Sequence, residues 1–485
     1  MGLLDTAAWS SSIHRGSWTP GGGGTHDVVA PAGGEQLGTV GMASAEDAAA
    51  AAADARAAQG EWAARTPGER AAVLRTAGLL LEEHAAEIQD WIIRESGAIR
   101  PKAELETRVG ADECFDAAAL PHLPQGEVLA TEDQRWSFAR RRPAGVVSVI
   151  APFNFPLILS IRAVAPALAL GNTVLLKPDP RTAVSGGVVL MRLFEEAGVP
   201  PGVLQLLPGG ADVGAAVVEA PEVDVVAFTG STAAGRRIGE TCGRLLKRAH
   251  LELGGNNAMI VLPGADVQAA ASAAAFGSYL HQGQICMTTG RHLVHESLHD
   301  EYVAALAERA RNLPVGDPAT QDVALGPIID AGQREHVVSV IDDAVAGGAE
   351  LVAGGDVEGP CIRPAVLTGV GRENRAWREE IFGPVAPVAS FSTIDEAVEL
   401  AADTEYGLSL SVLGDVGAAM QIADRVPSGK VHINEQTVVD ESNAPFGGVG
   451  DSGNGSRIGG ATANLEAFTE VQWLTMRSEI APYPF

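Results

Sequence analysis

Short apolar runs alternate with longer helical patterns through the middle of the chain. The apolar runs predict buried strands at residues 145–151, 173–177, 203–207, 223–228 and 250–253. Helical spacing of the apolar positions covers the intervening residues 161–170, 185–197 and 233–246. Strands that alternate with helices indicate βαβ units around a parallel sheet, because parallel neighbours need a crossover connection.

The alternation resumes after Gly255 and predicts a second α/β unit. Its strand-like runs are residues 257–262, 292–295, 365–368, 385–391, 409–412 and 430–433, and its clearest helices are 267–279 and 300–311. Two further strand-like pieces, 135–142 and 468–476, fit neither unit. We therefore expect two α/β domains with a boundary near Gly254 and Gly255.

The N-terminal region shows less pattern. Residues 1 to about 40 are rich in glycine, with consecutive glycines at 21–24, which predicts an irregular loop. Two helices are predicted after it, an Ala-rich one that opens at Ser44 and reaches Gln59, and a second from Pro67 to about His84.

The composition is typical of a globular cytoplasmic protein. The chain has 485 residues, 46% of them hydrophobic, and we expect neither a secretory leader nor a membrane span. Its 34 basic and 61 acidic residues give a net charge of −27, which disfavours nucleic acid as a partner. Its four cysteines are widely spaced and form neither a disulfide framework nor a zinc pattern, so we expect no metal.

Two motifs match familiar patterns without the structural context that these patterns need. Residues 295–299 read HExxH, but the first histidine closes an apolar strand, and Ser297 with Asp300 resembles a cap that starts the helix later. Residues 448–453 read GxGxxG, but no strand pattern precedes them. We interpret the first as a strand-to-helix connection and the second as a glycine loop.

Residues 225–235 form the first segment with ligand-binding character. An apolar strand ends at Phe228, a turn follows at Gly230, and a helix is predicted to begin near Ala233. Free backbone N–H groups at the start of such a helix favour an anion, for example the pyrophosphate of a dinucleotide. A simple strand-to-helix turn explains the same pattern equally well.

Cys286 and Glu252 are candidate catalytic residues. Glycines and two threonines surround Cys286, and Glu252 interrupts an apolar strand just before Gly254 and Gly255. A lone cysteine is more often a small buried hydrophobe than a nucleophile. A carboxylate in an apolar strand is costly unless it has a task. Taken singly, each residue leaves both interpretations open.

Taken together, seven segments in order resemble the NAD(P)-dependent aldehyde dehydrogenases. They are APFNFP at 151–156, GNTVLLKP at 171–178, FTGS at 228–231, ELGG at 252–255, GQIC at 283–286, EIFGPV at 380–385 and PFGG at 445–448. Within the family, residues 177–182, 432–437 and 441–446 are most similar to the benzaldehyde and vanillin dehydrogenase branch.

The resemblance implies an α/β fold with a Rossmann-type cofactor domain, an α/β catalytic domain and a small β oligomerisation arm. On this basis we expect the NAD(P)-binding domain at residues 1–253, with 122–144 as part of the arm. The catalytic domain is expected at 254–464 and the rest of the arm at 465–485. The resemblance also implies a homo-oligomer, either a homodimer or a homotetramer.

The resemblance assigns three catalytic roles. Cys286 would attack the aldehyde carbon, and Asn154 with the backbone N–H of Cys286 would form the oxyanion hole. After hydride transfer to the nicotinamide, Glu252 would activate the water that hydrolyses the thioester. The presence of Glu252 argues against the CoA-acylating branch, in which a thiol replaces that water.

Further residues would hold the cofactor. The resemblance implies that Lys177 contacts the adenosine ribose and that Glu380 contacts the nicotinamide ribose. Phe382 would pack on the nicotinamide, with Phe153 beside the oxyanion asparagine. The pyrophosphate region is assigned to Gly230, Ser231 and Gly235.

The chain departs from the family pattern after Lys177. Many members carry a glutamate that binds the ribose hydroxyls and repels a 2′-phosphate, whereas this chain has Pro180 there. Asp179 could replace that carboxylate, and Arg181 lies next to it. We therefore expect NAD as the cofactor, with NADP also possible.

The branch resemblance implies an aromatic aldehyde of the benzaldehyde or vanillin type as substrate. Phe155, Tyr279 and Phe446 flank the catalytic segments and are expected to wall a flat pocket. The alternative is the same chemistry on aliphatic aldehydes or semialdehydes.

Overall fold

The computed structural model describes residues 2–485, and within them the chain forms 16 α-helices. They are α1 Thr6–Trp9, α2 Ala45–Ala64, α3 Pro67–Glu83, α4 Ala85–Ser96, α5 Arg100–Ala119, α6 Pro156–Ala169, α7 Val189–Glu196, α8 Ala211–Glu219, α9 Thr232–Leu245, α10 Val267–Tyr279, α11 His299–Asn312, α12 Ala331–Ala346, α13 Arg375–Arg378, α14 Ile394–Ala402, α15 Val416–Ala423 and α16 Ala461–Phe468. None of these helices has the length and apolar character needed to cross a membrane.

The same residues form 23 β-strands. They are β1 Ile13–His14, β2 Trp18–Thr19, β3 Thr25–Val29, β4 Gln36–Gly41, β5 Gly126–Val128, β6 Trp136–Pro143, β7 Val146–Ile150, β8 Thr173–Lys177, β9 Leu204–Leu206, β10 Val225–Thr229, β11 Arg248–Glu252, β12 Asn257–Val261, β13 Thr289–His295, β14 Glu350–Ala353, β15 Val357–Glu358, β16 Cys361–Ile362, β17 Ala365–Thr368, β18 Val385–Phe391, β19 Tyr406–Gly407, β20 Ser409–Leu413, β21 Lys430–Ile433, β22 Val449–Gly450 and β23 Thr469–Met476.

The first large sheet has seven strands in the order β11-β10-β7-β8-β9-β1-β2. The five strands β7 to β11 run parallel, and each lies within three residues of a strand predicted from the apolar runs. Strands β7 and β8 are buried at every position. This matches the rule that parallel strands, covered by helices on both faces, consist of continuous apolar runs.

The N-terminal region corrects one expectation. Residues 1 to about 40 were expected to be loop, but β1 and β2 add two antiparallel strands to the edge of the first sheet. Strands β3 and β4 pair as a hairpin. Strands of two residues are too short to show alternation, and glycines interrupt the pattern in β4, so the sequence signal was missing.

The second large sheet also has seven strands, in the order β14-β17-β18-β13-β12-β20-β21. All its pairings are parallel except that of β14 with β17. The last strand of the first sheet ends at Glu252, and the first strand of the second begins at Asn257. The expected domain limits themselves stay a prediction.

A third sheet joins distant parts of the chain. Strand β23 pairs antiparallel with β6 from Thr469 opposite Pro143 to Met476 opposite Trp136, and β5 completes the sheet. These are the two strand-like pieces that fitted neither α/β unit in the sequence. Their pairing partner lies more than three hundred residues away along the chain, so no local pattern could indicate it.

Candidate active site

Cys286 lies in a loop between α10 and β13 whose backbone is unusual. The residues before it, His281, Gln282 and Gly283, have φ values of 49°, 58° and 68°. Consecutive left-handed residues that are not glycine store strain and persist only when the surroundings hold them. Here the side-chain amide of Gln282 donates to the carbonyls of Gly97 and Pro327, both at 2.9 Å.

Two more amide side chains hold the Cys286 loop on its other sides. Asn257 Nδ2 donates to the carbonyls of Cys286 at 2.9 Å and Thr288 at 2.8 Å. Gln284 Oε1 accepts from the backbone N–H of Ile329 at 3.0 Å. The loop is thus anchored by side chains from several elements, which keeps the thiol at a defined position.

Asn154 lies in the turn between β7 and α6, next to the Cys286 loop. Its side-chain Nδ2 donates to the backbone carbonyl of Gln284 at 2.9 Å, and its backbone carbonyl accepts from Lys102 Nζ at 2.8 Å. Asn154 and Cys286 line the same two cavities, described below. The Asn154 amide carries two N–H donors, so one can hold an oxyanion beside Cys286 while the other stays bonded to Gln284.

Lys102 and Glu106 form a buried ion pair beneath Asn154 that sequence reasoning missed. Both side chains are fully buried, and they lie four residues apart on α5. Glu106 Oε2 accepts from the backbone N–H groups of Leu157 and Ile158 at 3.1 and 3.4 Å, in the first turn of α6. A carboxylate there satisfies helix N–H groups that have no other partner. A Lys and a Glu at this spacing are usually a solvated helix pair, so the signal was present but ambiguous.

The protein around Cys286 disfavours its thiolate. Burial, with the carboxyl group of Glu380 as the next contribution, raises the pKa of the Cys286 thiol to about 12. Lys430 acts in the opposite direction. The free protein therefore holds Cys286 as a thiol at neutral pH, and its attack on a carbonyl requires a base.

Glu252 ends β11 and is nearly buried, with 7% of its surface exposed. Neither carboxylate oxygen has a hydrogen-bond partner among residues 2–485. Burial raises its pKa well above the usual range. It borders a small cavity with Arg162, His250 and Phe446, not the two cavities that Cys286 lines. Burial thus favours the protonated form in this conformation, and Glu252 must turn toward Cys286 to act on a water there.

The first of the two cavities, which we call the sheet-end cavity, lies at the carboxyl ends of β7, β8 and β10. Six of the residues expected to hold the cofactor line it, together with Cys286 and Asn154: Phe153, Lys177, Gly230, Ser231, Glu380 and Phe382. In open α/β sheets, ligands bind outside the carboxyl ends of the strands. The sequence segments that carried the cofactor expectation thus meet in one place.

Gly235 does not line the sheet-end cavity, so its expected place in the pyrophosphate region stays a prediction. A Cβ atom at Gly235 would lie 2.3 Å from Leu253 Cδ2, which indicates close packing of α9 on the end of the strand. Ser231, by contrast, lines the cavity and also caps α9, because its hydroxyl accepts from the N–H of Ala234 at 3.4 Å.

Two aromatic rings and the Arg181 guanidinium contact one another at the rim of the sheet-end cavity. The rings of Phe153 and Phe382 meet edge to face with centroids 5.9 Å apart. The Arg181 guanidinium lies 4.2 Å from the Phe153 ring centroid, and it donates to Asp179 at 2.8 Å and Asp330 at 2.6 Å. The guanidinium of Arg181, which lies four residues after Lys177, is therefore already paired with two carboxylates.

Two buried groups in the sheet-end cavity have shifted pKa values. Burial raises the pKa of Glu380 to about 7, although its Oε1 accepts from the N–H of Gly255 at 3.0 Å. Burial also lowers the pKa of Lys177, whose Nζ has one long bond, to the carbonyl of Pro178 at 3.4 Å. A buried ammonium with most of its donors free fits a ligand rich in hydroxyl groups, such as a ribose.

The second cavity, which we call the aromatic cavity, also has Cys286 and Asn154 in its lining. Phe155 and Phe446 line it as expected, with Ile158, Leu280, Met287 and Val438. The expectation for Tyr279 was wrong, because its ring is buried in the core of the second sheet and its hydroxyl donates to the carbonyl of Ala365 at 3.2 Å. Asp440 also lines this cavity and was missed, since nothing in its local sequence marked it.

The HExxH segment divides as expected. His295 ends β13 and His299 begins α11, so the two rings do not share a helix face. The expected cap of Ser297 and Asp300 was wrong: the helix follows Leu298, and the Ser297 hydroxyl instead lies 2.8 Å from His295 Nδ1. Among residues 2–485, no group of His, Cys, Asp and Glu is arranged to hold a metal.

Comparison with known proteins identifies the family. The sequence profile of the aldehyde dehydrogenase family matches residues 18–474. The chain is 61% identical to a vanillin dehydrogenase of Amycolatopsis over the full length of both, and 47% identical to benzaldehyde dehydrogenase [NAD(+)] of Pseudomonas putida over 98% of each. Among solved structures, it is similar to betaine aldehyde dehydrogenase of Staphylococcus aureus in complex with NAD+, with a TM-score of 0.94 and 30% identity over 99% of this chain and 97% of that one. The chain therefore belongs to the aldehyde dehydrogenase family.

Proposed function

We propose that this enzyme oxidises aromatic aldehydes to carboxylic acids with NAD as the oxidant, through a covalent intermediate on Cys286. The observation that carries this proposal is the position of Cys286 and Asn154 on the wall between the sheet-end cavity and the aromatic cavity. A thiol there reaches a substrate on one side while a cofactor lies on the other. Family membership supports the same chemistry.

Two observations support an aromatic substrate: the names of similar proteins and the side chains that line the aromatic cavity. Relatives at 61%, 47% and 42% identity are named vanillin dehydrogenase, benzaldehyde dehydrogenase and vanillin dehydrogenase. The rings of Phe155 and Phe446 provide flat apolar surfaces of the kind that pack against an aromatic ring.

The first step is the addition of Cys286 Sγ to the aldehyde carbon. Glu252 leaves its buried position, where the protonated form is favoured, and ionises. Since the thiol is protonated at neutral pH, the Glu252 carboxylate then accepts the thiol proton through a water as the S–C bond forms. The negative charge that develops on the former carbonyl oxygen is held by Asn154 Nδ2 and the backbone N–H of Cys286. Lys102 keeps the Asn154 backbone in place for this task.

Oxidation and hydrolysis complete the cycle. NAD bound in the sheet-end cavity supplies the acceptor for the hydride that leaves the aldehyde carbon. Cys286 then carries a thioester. Glu252 releases the thiol proton to solvent, removes a proton from the water that attacks the thioester carbonyl carbon, and returns that proton to the leaving sulfur. The C–S bond breaks, the carboxylic acid leaves, and the thiol of Cys286 is regenerated.

The preference for NAD over NADP follows from the charges beside Lys177. Asp179 places a carboxylate next to the sheet-end cavity, which disfavours a 2′-phosphate. Arg181 would attract that phosphate, but two carboxylates already pair with it. We therefore expect the enzyme to accept NADP with a lower kcat/KM than NAD.

The third sheet supports a homo-oligomer, as a dimer or a tetramer. Val471 and Trp473 on one face of this sheet are 62% and 66% exposed, and Trp136 and Met476 on its other face are 60% and 53% exposed. Large apolar side chains exposed together mark an association surface. We also propose a cytoplasmic location, where reducing conditions keep Cys286 a free thiol.

The proposed function is tested by following NADH formation with purified enzyme. We expect a higher kcat/KM for benzaldehyde and vanillin than for hexanal and succinic semialdehyde, and a higher one with NAD than with NADP. Equal or better turnover of the two non-aromatic aldehydes would contradict the aromatic substrate class and favour the aliphatic alternative. The absence of NADH with every aldehyde would contradict the activity itself.

A further inference from the structure

A cluster of buried charges, which we call the Arg162 cluster, borders the aromatic cavity. It consists of Glu113, Arg162, Lys430 and Asp440. Arg162 Nε donates to Glu113 Oε1 at 2.8 Å, and Arg162 Nη1 lies 2.7 Å from Asp440 Oδ2. Both cations also face the Phe446 ring, with the Arg162 guanidinium carbon 5.1 Å and Lys430 Nζ 4.6 Å from its centroid.

Asp440 is the carboxylate of this cluster that lines the cavity. Arg162 pairs with its Oδ2, whereas Oδ1 lies 3.9 Å from Lys430 Nζ, beyond hydrogen-bond distance. Within residues 2–485, Oδ1 accepts no hydrogen bond, and 20% of the side chain stays exposed. A carboxylate oxygen without a protein donor can accept a hydrogen bond from a ligand. Oδ1 is thus available to a donor on whatever occupies the cavity.

The charges around Asp440 decide which kind of group it prefers. Asp440 pairs with Arg162 and lies near Lys430, and a carboxylate accepts hydrogen bonds but donates none. A second anion in the cavity would be repelled by Asp440, and an ether oxygen would bring no proton to it. A neutral hydroxyl group satisfies both conditions.

We propose that Asp440 Oδ1 accepts a hydrogen bond from a hydroxyl group on the substrate ring, so that the enzyme selects ring-hydroxylated aromatic aldehydes. This inference rests on the proposed function and narrows its substrate class. Phe155 and Phe446 contact the ring whatever its substituents, whereas Asp440 distinguishes between substituents.

The test compares aldehydes that differ in the donor alone. We would measure kcat/KM for 3- and 4-hydroxybenzaldehyde and for the two corresponding methoxybenzaldehydes, whose oxygen lacks the proton. A hydrogen bond to a charged acceptor predicts that the better hydroxyl isomer exceeds its methoxy counterpart by about tenfold or more. Equal values for both isomer pairs would overturn the inference.

The variant Asp440→Asn should remove this preference. Its amide oxygen can take the place of Oδ2 beside Arg162, which leaves an NH2 group as donor toward the cavity. We expect the hydroxy-to-methoxy ratio to fall to about one or below, with benzaldehyde turnover changed much less. The matched control is Glu441→Gln, the same chemical change at the exposed neighbouring residue, which does not line the cavity and should keep the wild-type ratio. An unchanged ratio in Asp440→Asn would overturn the inference.

A binding measurement covers the case in which Asp440→Asn does not fold. Calorimetric titration of the wild-type enzyme with 4-hydroxybenzamide and 3-hydroxybenzamide, against the two methoxybenzamides, should show tighter binding of one hydroxyl compound. Equal affinities would overturn the inference.

The proposed function and the role of Asp440 can be contradicted separately. If hexanal is oxidised better than benzaldehyde, the aromatic function fails, whereas an aromatic preference with equal hydroxy and methoxy values contradicts only the role of Asp440.

Discussion

The sheet-end cavity and the aromatic cavity share Cys286 and Asn154, but the chain builds them differently. The sheet-end cavity is formed mainly by short segments that follow parallel strands, so most of its residues lie beside a recognisable sequence pattern. The aromatic cavity draws on α5, α6 and the loop that carries Asp440, far apart along the chain. A ligand site formed where strands end is therefore easier to recognise from sequence than one formed by packed side chains.

Removal of the shared thiol has the largest expected effect. Cys286→Ala should lower aldehyde oxidation by at least about 10⁴-fold, because no other side chain replaces the nucleophile. Binding at the sheet-end cavity should persist, which a titration of NADH fluorescence measures. The control Cys361→Ala removes a buried cysteine of the second unit and should keep activity. Appreciable turnover by Cys286→Ala would show that the two cavities do not meet at a catalytic thiol.

The thiol of the free enzyme should react faster as pH rises. Burial places the pKa of Cys286 at about 12, above the usual thiol value, so the reactive thiolate fraction grows tenfold with each pH unit below that point. Alkylation of Cys286 by iodoacetamide, followed by mass spectrometry, should accelerate by about a thousandfold from about pH 6 to pH 9. A rate that levels off near neutral pH would mean that the junction of the cavities stabilises the thiolate.

Glu252→Gln should separate the two halves of the reaction. Loss of the base is expected to slow both the attack of the thiol and the hydrolysis. Hydrolysis should slow more, by about a hundredfold or more, because water is a weaker acid than a thiol, so that thioester accumulates on Cys286. Intact-protein mass spectrometry after mixing with aldehyde and NAD detects the added acyl mass. Normal turnover without acyl-enzyme would assign the base role to another residue.

Lys102→Met tests whether the ion pair below Asn154 positions it for catalysis. We expect kcat to fall by about tenfold to a hundredfold, because a small shift of the oxyanion donor weakens the transition state more than the ground state. Lys102→Met alone also leaves Glu106 buried without its cation, which lowers stability.

The double variant Lys102→Met with Glu106→Gln removes that unpaired charge. Its melting temperature should recover most of the loss, whereas kcat stays low and the KM for NAD stays near the wild-type value. Recovery of kcat together with stability would mean that the pair acts on folding and does not position Asn154.

The smallest effect is expected at the rim of the sheet-end cavity. Arg181→Ser should lower the ratio of NADP to NAD use by about fivefold, since a cation already paired with Asp179 and Asp330 contributes weakly to phosphate binding. The ratio of kcat/KM values for the two cofactors measures this directly. An unchanged ratio would mean that Arg181 acts only as a partner for its two carboxylates.

The same contrast explains which elements the sequence predicted. The parallel strands β7 to β11 were confirmed because continuous apolar runs are long enough to recognise. Strands β1 and β2 were missed because two residues carry no periodicity, and they form only against an existing sheet edge. Helix α2 runs beyond its expected end at Gln59 to Ala64, since Gly60 does not interrupt it.

Among the site residues, the sequence by itself determined the family, the nucleophile candidate and the segments that meet in the sheet-end cavity. The tertiary structure alone decided that Gly235 packs under Leu253, that Tyr279 belongs to the core, and that Lys102 and Asp440 lie at the site. The physical reason is the separation along the chain of the residues that make each contact. Backbone turns at strand ends depend on neighbouring residues, whereas side-chain contacts across packed helices depend on residues that the fold alone brings together.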